Sequence, residues 1–188
     1  MKLPETWTDI EGWFTDLEAE ALTSAIGGYR LGQTYVELGS YKGRSTAVLA
    51  AHARETGATF FAVDRWQQTV GVCPGLPQFG GGDIEYLSDF CRNLAALDLL
   101  RHVQPLCLMT TEAARLCADD SVDMIFHDAG HEYGAVEADL RAWLPKLRVG
   151  GIWALHDYGW AGGRAVDACP QLGTVRLEGA LYIGRKIA

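Results

Sequence analysis

The chain has 188 residues, 48% of them hydrophobic and 21% charged, which suits one globular domain with a full core and excludes a collagen, a coiled coil or a wholly disordered protein. Its 16 Lys and Arg against 24 Asp and Glu leave a formal charge of -8, and no basic cluster exceeds Arg185-Lys186. A nucleic-acid partner, which needs a positive stripe to meet phosphates, is therefore not expected.

Near the N-terminus, Thr8-x-x-Glu11 and Thr15-x-x-Glu18 are spaced like capping boxes, and Ile10, Trp13, Phe14, Leu17 and Ala21 follow the rhythm of one helical face. One or two helices are expected before Gly27-Gly28. A short apolar run over residues 35–38, closed by Gly39, reads as a buried strand, and the alanine-rich residues 45–55 read as a helix. A second strand over 59–63 ends at Asp64. Residues 67–82 have no period and hold five glycines with Pro74 and Pro77, the composition of a lid more than of a connector. Asp83 is placed as the cap of a helix bearing Ile84, Leu87, Cys91 and Leu94 on one face. A third strand over 103–108, a short helix over 111–116 and a fourth strand over 122–126, closed by Asp128, follow. Residues 132–147 form the clearest helix, with Pro145 in its last turn and Gly150-Gly151 as its stop. A fifth strand over 152–155 runs into His156-Asp157, and 172–176 with 180–184 read as an antiparallel hairpin.

Five strands alternating with helices argue for an α/β fold: a doubly wound, Rossmann-like, mostly parallel sheet with an antiparallel C-terminal hairpin. Ligands of such sheets bind at the carboxyl ends of the strands, which here carry Glu37 and Gly39, Asp64, Thr110-Thr111, Asp128 and His156-Asp157. In VELGSYKGRST, Gly39 and Gly43 let backbone approach a ligand at a helix N-terminus, although the spacing is neither G-x-G-x-x-G nor a P-loop. Asp64 is placed to accept hydrogen bonds from ribose hydroxyls, and Trp66 to cover an adenine face. Asp128, His131, His156 and Asp157 meet at one rim, which suits a divalent metal or a base held by a carboxylate. His127 should point the other way, as a structural residue. The five cysteines include no C-x-x-C pair and read as reduced thiols. No apolar stretch approaches the roughly 20 residues of a membrane span and no signal-peptide core is present, so a cytoplasmic protein with no membrane partner is expected.

The E-x-G-x-x-x-G-x-S turn, the strand-ending DRW, the D-x-x-H-x-Y segment and the GGIWALHDY strand together resemble the class I S-adenosylmethionine-dependent methyltransferases. More narrowly they resemble the small-molecule, natural-product type O-methyltransferases, over nearly all of residues 10–160. The resemblance implies one methyltransferase domain over 1–188, with N-terminal helices in 1–30 and a cofactor-binding core in 31–188. It implies S-adenosyl-L-methionine as cofactor, with the methionine end at Glu37, Gly39, Ser40, Gly43 and Ser45, the ribose at Asp64, and the adenine near Trp66, Thr110, Thr111 and Glu112. Asp128 joins both the cofactor site and catalysis, and His131 is the implied base. Metal-dependent relatives place an acidic pair where this chain has His156-Asp157, so Asp128 and Asp157 are the implied ligands of Mg2+ or another divalent metal, and the imidazole weakens the case for magnesium. A small-molecule acceptor is expected, with a homodimer allowed by Trp7, Trp13 and Phe14. Two alternatives stay open: a non-catalytic S-adenosylmethionine-binding homologue and an NAD-dependent oxidoreductase.

Overall fold

The computed structural model describes residues 5–27, 32–66 and 85–188. The expected lid over 67–82 and the cap at Asp83 lie outside the described residues. Seven strands, β1 (Thr34–Leu38), β2 (Thr59–Asp64), β3 (Gln104–Cys107), β4 (Val122–His127), β5 (Leu147–Leu155), β6 (Leu172–Glu178) and β7 (Leu181–Lys186), form one sheet in the order β3-β2-β1-β4-β5-β7-β6. The first five run parallel, and β7 pairs antiparallel with both β5 and β6. This is the class I methyltransferase fold expected from the sequence.

Alternation along β1 sends Tyr35 and Glu37 to one face of the sheet, and Val36 and Leu38 to the other. On the Tyr35 face lie α1 (Asp16–Ile26), α2 (Arg44–Thr56) and α3 (Glu85–Ala96), contributing Leu22, Leu49 and Phe90 to the core. The Val36 face packs α4 (Thr110–Ala113), α5 (Tyr133–Trp143) and α6 (Gly163–Asp167) through Ala113, Val136, Trp143 and Val166. Strand order reverses between β1 and β4, where consecutive strand ends are tied by Asp128 N–H donating to the Leu38 carbonyl (2.7 Å) and Gly39 N–H to the Val63 carbonyl (2.8 Å). The carboxyl ends of β2, β1, β4 and β5 thereby share one rim, the position where such sheets bind ligands.

Three expectations need correction. The helical rhythm from Ile10 to Ala21 does not form a helix before Asp16: Thr15 starts α1 with a complete capping box to Glu18, and residues 10–14 run as an irregular strap. Arg44 fixes that strap by donating to the carbonyls of Thr8, Ile10 and Phe14, a tertiary contact that overrides local periodicity. Trp7 and Phe14 are core residues, whereas Trp13 is 72% exposed. The long helix stops at Trp143, and Gly150-Gly151 lie inside β5 instead of ending the helix. There the β4–β5 register shifts between Val122 and Met124, and a Cβ on Gly151 would sit 2.8 Å from the Arg148 carbonyl oxygen, so the glycine serves a bulge.

Candidate active site

The turn after β1 is built from beneath. Glu37 is fully buried under it, accepting hydrogen bonds from the hydroxyls of Ser45 (2.6 Å) and Thr46 (2.5 Å) in the first turn of α2. Burial pushes the Glu37 carboxyl up to about 7, against the opposing pull of those hydroxyls, and the nearby Asp128 charge adds to the rise. Glu37 thus supports the turn and does not line the cavity above it. Gly39 does line that cavity, at φ +86, and a Cβ there would fall 2.3 Å from the Asp128 carbonyl oxygen. Its lack of a side chain is demanded by the adjoining end of β4, before any ligand is considered. Gly43 caps α2 and backs onto Phe90.

Asp64 binds the same turn from the side. One of its oxygens accepts from the N–H groups of Ser40 (2.9 Å) and Tyr41 (2.8 Å), and the other from Trp66 N–H (2.7 Å). A carboxylate offers about four lone-pair sites, so one remains for a ribose hydroxyl. Trp66 does not face the cavity. Its backbone turns at φ +45, and the indole is buried against Phe90 while its N–H donates to the Tyr41 carbonyl (2.8 Å), so the adenine role expected for it gives way to a core one. Thr110 and Thr111 line the cavity as expected. Thr110 donates its hydroxyl to Asp139 (2.5 Å), whose second oxygen lies 2.9 Å from His127 Nε2. His127 is accordingly a buried structural residue.

Ser40, Ser45, Asp64, Asp128, His131, His156 and Asp157 all border one cavity of about 690 Å³, a size suited to a cofactor and a small partner. The strap residues Glu11, Trp13 and Phe14, to which sequence spacing gives no ligand role, form a further wall. Glu11 reaches across to Lys42 Nζ (2.7 Å) and the Tyr41 hydroxyl (2.9 Å), and Trp13 stacks on Tyr41. The only sequence signal for this was acidic spacing, which also fits a capping box.

At the opposite rim, Asp157 is held at φ +55, and its Oδ2 lies 3.4 Å from His131 Nδ1. Asp128, His131 and Asp157 can each bring one ligand atom within 4.8 Å of the others. Two oxygens and a nitrogen would suit a borderline ion better than magnesium. His156 weakens the case for a resident ion. Its ring is 5% exposed, with Nδ1 3.3 Å from Asp128 and 3.7 Å from Asp157, and Nε2 3.5 Å from the buried Glu18. Burial opposes its charge, but the hydrogen bond and charge of Asp128, with the charges of Asp157 and Glu18, outweigh burial and hold His156 up at about 9. A divalent ion on these carboxylates would have to displace that proton, which near pH 7 costs a group titrating at about 9 only about 3 kcal/mol. An acid at the same position would attract the ion instead. The imidazole therefore weakens the fit of the divalent metal implied for Asp128 and Asp157 without removing its candidate ligands.

S-adenosylmethionine does fit. The cavity lies at the strand-order reversal, backbone approach is open at Gly39, and Asp64 keeps an acceptor position. Comparisons with known proteins agree. The structure is similar to a SAM-dependent O-methyltransferase from Thermotoga maritima (TM-score 0.70, 14% identity, covering 100% of this chain and 72% of that one). It is also similar to the O-methyltransferase NovP (0.68, 18%, 90% and 79%) and to an rRNA methylase from Streptococcus thermophilus (0.65, 12%, 94% and 100%). At such identities these likenesses establish the fold and leave the acceptor open. A family model described as a methyltransferase domain matches residues 36–158, from β1 through the His131–Asp157 rim. The chain belongs to this methyltransferase-domain family and is an S-adenosylmethionine-dependent enzyme.

Proposed function

We propose that this methyltransferase methylates a hydroxyl oxygen of a small molecule, with His131 as general base. One observation carries the reading: His131 stands at the cavity rim with Nδ1 3.4 Å from the Asp157 carboxylate. A carboxylate there favours the tautomer protonated on Nδ1 and leaves Nε2 to accept the acceptor's proton. The cofactor supplies a methyl group already activated on a sulfonium, so the chain has to align the acceptor and remove a proton.

Gly39, Ser40 and Asp64 would hold the methionine and ribose parts, and Thr110 and Thr111 the adenine. Asp128 would stand between cofactor and acceptor, and Glu37, Gly43 and Ser45 would keep the turn in shape. Proton removal falls to His131, whose Nδ1 faces the Asp157 carboxylate. Five carboxylates, Glu11, Asp64, Asp128, Asp139 and Asp157, border the cavity against Arg44 and Arg65, and Arg44 directs Nε and Nη1 to backbone carbonyls. That charge supports a small-molecule acceptor over an RNA phosphate chain. The O-methyltransferases of similar fold support oxygen as the acceptor atom. Among the described residues no helix is long and apolar enough to cross a membrane, and the four described cysteines are unpaired, which supports a reducing, cytoplasmic setting.

The test follows S-adenosylhomocysteine release over a panel of phenols, sugar hydroxyls, amines and carbon nucleophiles. Turnover of hydroxyl acceptors, lost in His131→Ala while S-adenosylhomocysteine still binds, is the expected result. Turnover confined to amine or carbon acceptors, or tight cofactor binding with no acceptor methylated, refutes it.

A further inference from the structure

The cavity wall formed by α4 and α5 is backed by a buried polar pair. Asp139, on the inner face of α5, is buried yet borders the cavity, and His127 at the end of β4 is fully buried behind it. Both carboxylate oxygens of Asp139 are engaged: Oδ1 accepts from the Thr110 hydroxyl (2.5 Å), and Oδ2 lies 2.9 Å from His127 Nε2. The His127 ring stacks on Trp153, with centroids at 5.9 Å, and its Nδ1 meets no hydrogen-bond partner among the described residues. The ring proton therefore belongs on Nε2, where Asp139 accepts it. Thr110 is anchored a second time through its carbonyl, which accepts from Trp143 Nε1 (3.0 Å). A buried polar pair stabilises a fold little better than apolar residues of the same volume, so its place behind a ligand wall calls for another role. A hydroxyl has one proton and two lone pairs. The Thr110 proton is committed to Asp139, so toward the cavity this oxygen can only accept.

We infer that Asp139, braced by His127, is a positioning residue that fixes the Thr110 hydroxyl as an acceptor and so makes the cavity select a purine with an amino group at C6 over one with an oxo group, a selection that rests on the adenine site proposed at Thr110 and Thr111. The amino group of adenine donates and meets a waiting lone pair. An oxo group in its place would oppose lone pair to lone pair, with the Asp139 carboxylate directly behind. Relief would require Thr110 to turn its proton away from Asp139, leaving a buried carboxylate oxygen without its donor. A site built around one donor rejects the analogue that lacks it because its own buried groups are then left unpaired.

Calorimetry with S-adenosylhomocysteine and S-inosylhomocysteine, which carry the amino and the oxo group at C6, tests this without any acceptor and so apart from the role of His131. Wild type is expected to bind the adenine form at least about 30-fold more tightly, and a smaller preference overturns the inference. Thr110→Val keeps the shape of the side chain without its oxygen and should lower the preference by about 10-fold or more. The double variant His127→Leu/Asp139→Leu exchanges both partners of the pair for apolar groups, which a core tolerates better than the loss of one. It frees the Thr110 proton to meet an oxo group and should lower the preference by a similar factor. Damage to the wall alone weakens both ligands equally, so an unchanged preference in either variant overturns the inference. Should the double variant not fold, wild type and Thr110→Val still decide. If Thr110→Val weakens both ligands equally, the adenine site stands and the inference alone falls. If it leaves both affinities at their wild-type values, the adenine lies elsewhere and the proposed site falls with the inference.

Discussion

Glu37 offers a direct measurement of how the cofactor turn is supported. Its carboxyl is fully buried, and burial lifts it from its ordinary value of 4.5 to about 7. The unfolded chain therefore gives up this proton first as pH rises, and the folded chain keeps it until about neutrality. Stability from this group is fully present below the unfolded value and is lost as pH passes through the folded one. A shift of this size corresponds to about 3 kcal/mol at 1.36 kcal/mol per pH unit. Urea unfolding from about pH 4.5 to about pH 8, in wild type and Glu37→Gln, isolates the effect. His156 also titrates, losing its contribution as pH rises from 6.5 toward about 9, but it is common to both proteins and cancels in the difference. Glutamine can still meet the Ser45 and Thr46 hydroxyls, which rotate to donate or accept. Wild type should lose about 3 kcal/mol more than Glu37→Gln across the window. Parallel pH profiles would refute the buried, proton-holding role for Glu37.

Other sites carry shorter tests. Gly39→Ala puts a Cβ 2.3 Å from the Asp128 carbonyl oxygen at φ +86; a loss of more than about 3 kcal/mol in urea unfolding, together with lost S-adenosylhomocysteine binding, is expected. Near-wild-type stability would show that the β1 and β4 ends can separate at little cost. Asp64→Ala strips the acceptor from three backbone N–H groups, bonds worth about 1.5–3 kcal/mol each when the acceptor is charged, and calorimetry should find cofactor affinity lowered at least about 100-fold. Unchanged affinity contradicts its role in holding the turn. His131→Ala should lower kcat by about 100-fold to 10,000-fold with S-adenosylhomocysteine affinity retained, and Asp157→Asn should lower kcat less; equal loss of affinity and kcat in His131→Ala would make it a cofactor ligand instead of a base.

The parts of this site that sequence made legible are those fixed by strand ends. Gly39, Asp64, Asp128 and Asp157 each follow a strand at a position where a parallel sheet exposes its carboxyl edge, so naming the strands placed them on one rim. Glu37 was misassigned to ligand contact although alternation was available: it shares a face with Tyr35, which packs against His52 of α2, so the helix had the better claim on it. Trp66 was beyond such reasoning, because the left-handed turn that tips its indole under α3 depends on Asp64 accepting its N–H. The strap over residues 10–14 was hidden for a similar reason. Its apolar spacing is helical, but three of its neighbouring carbonyls are claimed by one guanidinium thirty or more residues away in sequence.

Arg44 links two functions that sequence treats separately. It is the first residue of α2, next to the glycine that ends the cofactor turn, and it also stacks under Trp7 at 5.2 Å while gripping the strap. Lys42 and Tyr41, within the turn itself, hold the strap again through Glu11. Residues 40–44 are therefore tied to Glu11, Trp13 and Phe14, which line the cavity together with His131. Phe14 in turn packs against His156. Contacts thus run from the cofactor turn, through the strap, to the imidazole beside Asp128 and Asp157. One N-terminal segment can in this way shape the acceptor space and brace the charged rim, and its helical apolar period carries no sign of either role.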